Sequence, residues 1–409
     1  MVVQWTPMRW PNAWTDPAAL SLLQGTAIDY LLIGKGADLQ AVRERALASG
    51  LRVADLDSPP SGISILKGEW PGVKMRRGGA AEINAGPTGV PWVDSNGWNI
   101  RLSQALNPET SVWVDAPPAD DARLSAGSYP IAIADSAAHG GRWILSLDPA
   151  LAKGLAGQRP EAVETWKRIA GAAGFFASHK DWPAFKPHAL VGVISDFSGK
   201  NEFFSRELLN LLARAGQHYV ILPKQHIGSG ALFGLRAVIY PDSDAPADAL
   251  RKQVHDFVQA GGLLIGAPQW GGPPGTPVQS TEGDRYSVRN LGKGRIALSY
   301  TDPDDPYLWA QDSVLLVSHR YDLVRFWNCG SASSYYAVSP DGKRAVVHLL
   351  FYANRGPDSA SVRIAGRYRE VKASTIDRPQ MSRVDCELQK DAMEVHLPQV
   401  PQYVALELT

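Results

Sequence analysis

Between residues 1 and about 186 one unit recurs: a short apolar run that closes on a polar or acidic residue, a turn, and often a stretch with helical spacing. Such runs occupy 8–10, 30–33, 52–55, 63–66, 91–94, 112–115, 131–135 and 143–148. Continuous apolar runs bounded by turn residues predict strands buried on both faces, and their alternation with helices predicts a parallel sheet. Eight of them predict a degenerate (β/α)8 TIM-like barrel over residues 1–186. Helical spacing is clear in 37–49, where Leu39, Val42, Ala46 and Leu47 share a side and Gly50 is the stop signal, and again in 160–173. Ser58-Pro59-Pro60-Ser61-Gly62 and the glycine-rich stretch 68–89 leave no room for regular helices, so a short, irregular barrel is expected.

Past Pro183 and Pro187 the pattern changes. Apolar strands at 190–195, 219–222, 237–240 and 263–266 alternate with helices carrying Leu208, Leu211 and Leu212 and then spanning 247–259, which predicts a doubly wound, flavodoxin-like α/β domain over 187–302. A bridging helix near 306–326 leads into alternating strands around the turn Pro340-Asp341-Gly342-Lys343, which predict a small C-terminal β-sandwich within 303–409.

Composition narrows the partners. Lys plus Arg equals Asp plus Glu at 41 each, and no basic run occurs, so the electrostatic attraction that drives binding to nucleic acid or to anionic membranes is missing. No apolar stretch reaches the length of a membrane span, and Met1-Val2-Val3-Gln4-Trp5 lacks the plan of a secretory signal. Cys329 and Cys386 are the only cysteines, which excludes a disulfide framework and a clustered thiolate site and leaves open whether the two pair. The nine His are scattered with no pair at ligand spacing, so neither a metal nor a cofactor is expected. Phosphate-loop, nucleophile-elbow, dinucleotide and H-E-x-x-H motifs are all absent.

Tryptophan is skewed: ten of thirteen, Trp92 among them, precede residue 183. Flat aromatic rings pack on sugar faces by the physics that also packs them in cores, and both uses are open. In a parallel barrel, chemistry sits at strand C-termini and the loops after them. Those positions hold Asp55 and Asp57, Lys67 and Glu69, Asp94 and Asn96, Asp115, Asp135 and Asp148. Glycoside hydrolysis needs two carboxyl groups across one bond, ~5–5.5 Å apart for retention or ~6.5–9.5 Å for inversion. Glu69, Asp94, Asp115 and Asp135 are the candidate acids, with Lys67, Trp70, Asn96 and Trp98 as substrate-binding residues. Asp also caps helices that follow strands, and Asp148-Pro149 reads as such a cap.

The order of parts resembles that of the family 42 β-galactosidases. The likeness is carried by Val191-Gly192-Val193-Ile194-Ser195, the helix 202–214 and the segment 254–266, which resemble the trimerisation domain of those enzymes, itself similar to class I glutamine amidotransferases. Where amidotransferases carry a nucleophilic Cys, this chain has Ala267-Pro268-Gln269-Trp270, so the resemblance implies an architectural domain through which a homo-oligomer would form. The family's Asn-Glu after the fourth strand and Glu after the seventh are met here by Lys67-Gly68-Glu69 and Asp135. The expectation is a glycoside hydrolase acting on an oligo- or polysaccharide; the alternatives are a non-catalytic carbohydrate-binding relative and a structural subunit. A polysaccharide substrate would place the protein in the periplasm or outside the cell.

Overall fold

A computed structural model describes the chain apart from residues 1–4, 57, 59, 74–92, 273, 279–284, 328 and 354–358. Asp57 and Trp92, singled out above, lie outside the described residues. The N-terminal part comprises β1 (Pro7–Arg9), β2 (Tyr30–Ile33), α1 (Gln40–Ala48), β3 (Arg52–Asp55), β4 (Ile63–Lys67), β5 (Gly72–Val73), β6 (Val93–Asp94), α2 (Gly97–Leu106), β7 (Ser111–Asp115), α3 (Ser128–Ala138), β8 (Arg142–Trp143), α4 (Pro149–Ala156) and α5 (Pro160–Ser178).

Two parallel sheets, β1-β2-β3 and β4-β7-β8, are joined where Met8 bridges Leu145 in parallel, giving the order β3-β2-β1-β8-β7-β4. The two-residue period of strands sorts the side chains. Tyr30, Leu32, Trp113 and Ile144 meet on the inner side, with Ala54, Ile63 and Ile65 against them. Leu31, Ile33, Val112 and Val114 face outward into the core shared with the helices.

Among the described residues no ladder joins β3 to β4, so this is a curved six-stranded arc and not the closed eight-stranded barrel expected. Two of the eight runs account for the difference. The run 91–94 contributes β6, which pairs antiparallel with β5. The run 131–135 lies inside α3, a helix buried nearly all round, whose uninterrupted apolar residues carry no period that separates helix from strand.

The middle part contains β9 (Lys186–Pro187), β10 (Val191–Ser195), α6 (Glu202–Arg214), β11 (Tyr219–Pro223), β12 (Ala237–Tyr240), α7 (Asp248–Gln259), β13 (Leu263–Gly266), β14 (Thr276–Pro277), β15 (Tyr286–Leu291), β16 (Gly294–Ser299) and α8 (Pro306–Val317). Its sheet has the order β11-β10-β12-β13-β16-β15-β14, the first five strands parallel, a 2-1-3-4-5 arrangement extended by an antiparallel edge. Val191 and Val193 face α6 and α8, while Ile194, Val238 and Leu264 face α7. Burial on both faces is why these strands read as unbroken apolar runs. The β15–β16 hairpin was not expected from the sequence.

The remaining strands form two antiparallel sheets packed on one core. One carries 332–338, 345–351, 371–375, 378–383 and 403–408; the other carries 324–327, 360–365, 386–388 and 392–397. β9 pairs with Ala337 and Val338, so the linker itself is an edge strand of the C-terminal part. Cys329 and Cys386 are both free thiols.

Candidate functional site

The C-terminal ends of β4 and β7 lie side by side, with Lys67 opposite Asp115. Asp115 is gripped by Arg9, whose Nη2 donates to both carboxylate oxygens at 2.8 and 2.7 Å, while Arg9 Nε donates to Ser146 Oγ at 3.3 Å. Asp55 is likewise engaged, accepting from Arg43 at 2.7 Å. Lys67 and Glu69 project to solvent. Gly68 lets the chain between them pass close to β7: its N–H donates to Asp115 O at 2.9 Å, and a Cβ there would collide with Val114.

Glu69 is exposed at its side chain and fixed at its backbone. Asn96 Oδ1 accepts from Glu69 N at 2.9 Å and Asn96 Nδ2 donates to Glu69 O at 2.9 Å, so one amide side chain clamps both polar groups of the residue. Asn96 is itself held by Asp135, a wholly buried carboxylate whose Oδ2 accepts from Asn96 N at 2.9 Å and Asn96 Nδ2 at 3.0 Å. The other Asp135 oxygen accepts at 2.7 Å from the hydroxyl of Tyr352, just past the strand 345–351. Burial and the Asp135 charge push the Tyr352 pKa well up, which keeps that hydroxyl a donor. Three separate segments of the chain thus meet in one buried polar line that ends at Glu69.

The other expected residues fall elsewhere. Trp70 packs edge-on against Tyr129 at 5.3 Å and Trp143 at 4.9 Å. Its indole N–H and that of Trp143 are buried with no partner among the described residues. Trp98 packs against the core of the middle part. Asp94 faces Arg214 of α6, whose Nη1 donates to Val93 O at 2.7 Å. Asp135 sits inside a helix and not at a strand end, so it is a support for Asn96 with no access to solvent. Asp148 caps α4, accepting from Ala150 N at 3.0 Å and Leu151 N at 3.1 Å, as its Asp-Pro sequence implied. Of the eight predicted residues the structure therefore links Glu69, Asn96 and Asp135 by hydrogen bonds and sets Lys67 beside Asp115. It turns Asp94 and Trp98 toward the middle part and Trp70 into the packing. Arg9, Ser146 and Tyr352 were not anticipated; Arg9 alone carried a signal, as a charge inside the apolar run 8–10.

Among the described residues no three His, Cys, Asp or Glu side chains group as metal ligands. No helix among them is long and apolar enough to cross a membrane.

The fold is glycoside hydrolase-like. Over 99% of its length, and 99% of the other chain, this chain is similar to the α-L-fucosidase isoenzyme 2 from Paenibacillus thiaminolyticus, at 10% identity and a TM-score of 0.52. It is also similar to the rhamnosidase from Novosphingobium sp. PP1Y (11% identity, 91% of this chain and 38% of that one, TM-score 0.47). A third likeness is to the β-galactosidase from Bacillus circulans sp. alkalophilus (10% identity, 71% of this chain and 60% of that one, TM-score 0.42). The chain thus spans less than two thirds of the length of those last two. No family model and no curated protein matches the sequence. At this identity the likeness is one of fold.

Proposed function

We propose that the chain is a glycoside hydrolase acting on an oligo- or polysaccharide at the open end of the arc, with Glu69 and Asp115 as its two carboxylates. The observation that carries this reading is the clamp on Glu69: an exposed carboxylate whose N–H and C=O are both held by a buried amide. Positioning the backbone while leaving the acid free to meet a ligand is what a reacting group requires. Neighbouring strands stand ~4.8 Å apart. Lys67 stands directly across from Asp115 and Glu69 follows two residues later, so the two acids lie at neighbouring strand ends, and the separation of their carboxyl groups decides retention against inversion. Arg9 would fix the Asp115 carboxylate, and Lys67 would meet hydroxyls of the sugar. On this reading the arc is a degenerate TIM-like barrel of residues 1–186, followed by an amidotransferase-like domain at 187–302 and the helix and sandwich of 303–409. The exposed Phe203 and Phe233 would offer the middle domain's surface for self-association.

A second reading, carbohydrate binding without hydrolysis, is favoured by the two-pronged grip of Arg9 on Asp115, which engages both oxygens a nucleophile would need. The two separate in a hydrolysis screen over chromogenic glycosides and polysaccharides, with wild type, Glu69→Gln and Asp115→Asn. Turnover in wild type that falls at least 100-fold in either variant, about 2.7 kcal/mol of barrier, supports the enzyme. Sugar binding by calorimetry with no turnover on any substrate supports the binder.

A further inference from the structure

Away from the open end of the arc, two cavities meet where α2, α6, β11 and the C-terminal sheets come together. The larger, about 500 Å³, has Trp182 and Tyr335 in its wall; the smaller, about 180 Å³, has Ser333 and Ser334; Arg101 and His139 line both. None of Glu69, Asp115 and Arg9 lines either one.

Arg101 projects from the middle of α2 between two aromatic rings, its guanidinium carbon 4.3 Å from the centre of Tyr219 and 5.4 Å from that of Tyr335. One Nη2 donates to the backbone oxygen of Tyr219. A guanidinium has five N–H donors in a fixed fork, matched to carboxylate and phosphate. Among the described residues no carboxylate lies within ion-pair distance of Arg101, whereas Arg214 at the smaller cavity has Asp94 and Glu207 to offset its charge. Nor do the neighbouring histidines add charge. Burial together with Arg101 pushes His218 down to about 3, and burial lowers His139, so both are neutral at pH 7. A cation kept half out of water over two aromatic rings, beside neutral hydrogen-bonding groups and an open volume of this size, lacks its counter-charge.

We propose that this junction binds a small anionic sugar, of one or two units, whose carboxylate or phosphate sits on Arg101. The cavity volumes set the size, the guanidinium sets the charge, and the Tyr335 ring with Ser333, Ser334 and the neutral histidines suits a hydroxylated ring. The smaller cavity touches Tyr352 of the polar line behind Glu69, but neither cavity is lined by the carboxylates proposed for hydrolysis, and the proposal does not depend on that reading.

The test is calorimetric titration of the full chain with glucuronate, glucose 6-phosphate and glucose. At least one anionic probe should bind at a single site, with glucose at least tenfold weaker; which anion binds tells carboxylate from phosphate. Arg101→Met should weaken the anion at least tenfold, the range of a charge-assisted hydrogen bond, and Glu69→Gln should leave it unchanged. Should Arg101→Met not fold, Thr110→Trp, which fills the wall of the larger cavity, must produce the same tenfold loss. No binding of either anion, equal binding of glucose, or full affinity in a folded Arg101→Met or Thr110→Trp protein overturns the proposal. Absence of hydrolysis with anion binding intact would count against Glu69 and Asp115 alone.

Discussion

Asp135 shows how a carboxylate can matter without ever touching a ligand. It is wholly buried, and its charge is balanced by three donors from Asn96 and Tyr352. Removing it strands those donors in a dry interior, where each orphaned group costs about 1–3 kcal/mol. Asp135→Ala should therefore lower the unfolding free energy by about 3 kcal/mol or more, and Tyr352→Phe by about 1–2 kcal/mol, both read from urea transitions. Glu69→Gln should stay within about 0.5 kcal/mol of wild type, because its side chain faces solvent. A large loss in Glu69→Gln, or none in Asp135→Ala, would show the polar line to be misassigned. The sequence marks Asp135 only as an acid in an apolar run, which fits a strand-end catalyst and a buried support equally well. Its partner Tyr352 lies 217 positions further on, a separation that no local pattern bridges. Asn96 reads in the sequence as a candidate substrate-binding amide after a strand, yet what it holds is the backbone of Glu69, and that emerges only once the loop after β4 is placed.

Helix α2 is the element on which the three parts converge, since Ile100 packs into the N-terminal core, Leu102 into that of the middle part, and the Arg101 guanidinium lies 5.4 Å from the ring centre of Tyr335 on a C-terminal strand. It starts at Gly97, where a Cβ would enter the imidazole ring of His139. The ring has little freedom to retreat, because its Nδ1 is tied to Asp135 O at 2.8 Å. Gly97→Ala should therefore cost about 1–3 kcal/mol by overpacking, although alanine is otherwise the better helix former. A neutral or stabilising result in thermal melts would mean that His139 moves aside freely. The same kind of tightness explains what the sequence left unread. Strands β10, β12 and β13 were recoverable because burial on both faces makes them unbroken apolar runs flanked by amphipathic helices. Helix α3 was not, since a helix buried all round looks, over five residues, like a buried strand. Hairpin β15–β16 alternates weakly: only Tyr286 of its first strand is fully buried, and Gly294 is demanded by backbone contact with Val258 and Gly262, not by any apolar signal.

The joints between the parts are lined by histidines that burial keeps uncharged. His348, on a sandwich strand, bonds Tyr403 at 2.7 Å and stands edge-on to Trp182 at 5.1 Å; His218, before β11, meets Ser334 at 3.2 Å. Burial is the main cause that pushes each down to about 3, and it lowers His139 as well. In the unfolded chain these rings titrate near 6.5. Above that pH neither state is protonated and the stability is present in full. Below it the unfolded chain takes up protons that the folded protein refuses, so stability falls as pH drops toward the folded values. The slope is about 1.4 kcal/mol per pH unit for each of His218 and His348, and His139 adds in the same direction. Urea midpoints should therefore fall steadily between pH 6.5 and 4.5, a window above the range in which most carboxylates protonate. Replacing His348 by Gln, which cannot ionise, should remove one proton's share of that slope even if it lowers stability at pH 7. Fluorescence of Trp182, which also stacks on His179 at 3.9 Å, should report the loosening of the joint in the same range. Midpoints that stay flat to pH 4.5 would mean that the joints admit water and protons without separating. In that case the three parts would be held by the apolar contacts of α2 and α3.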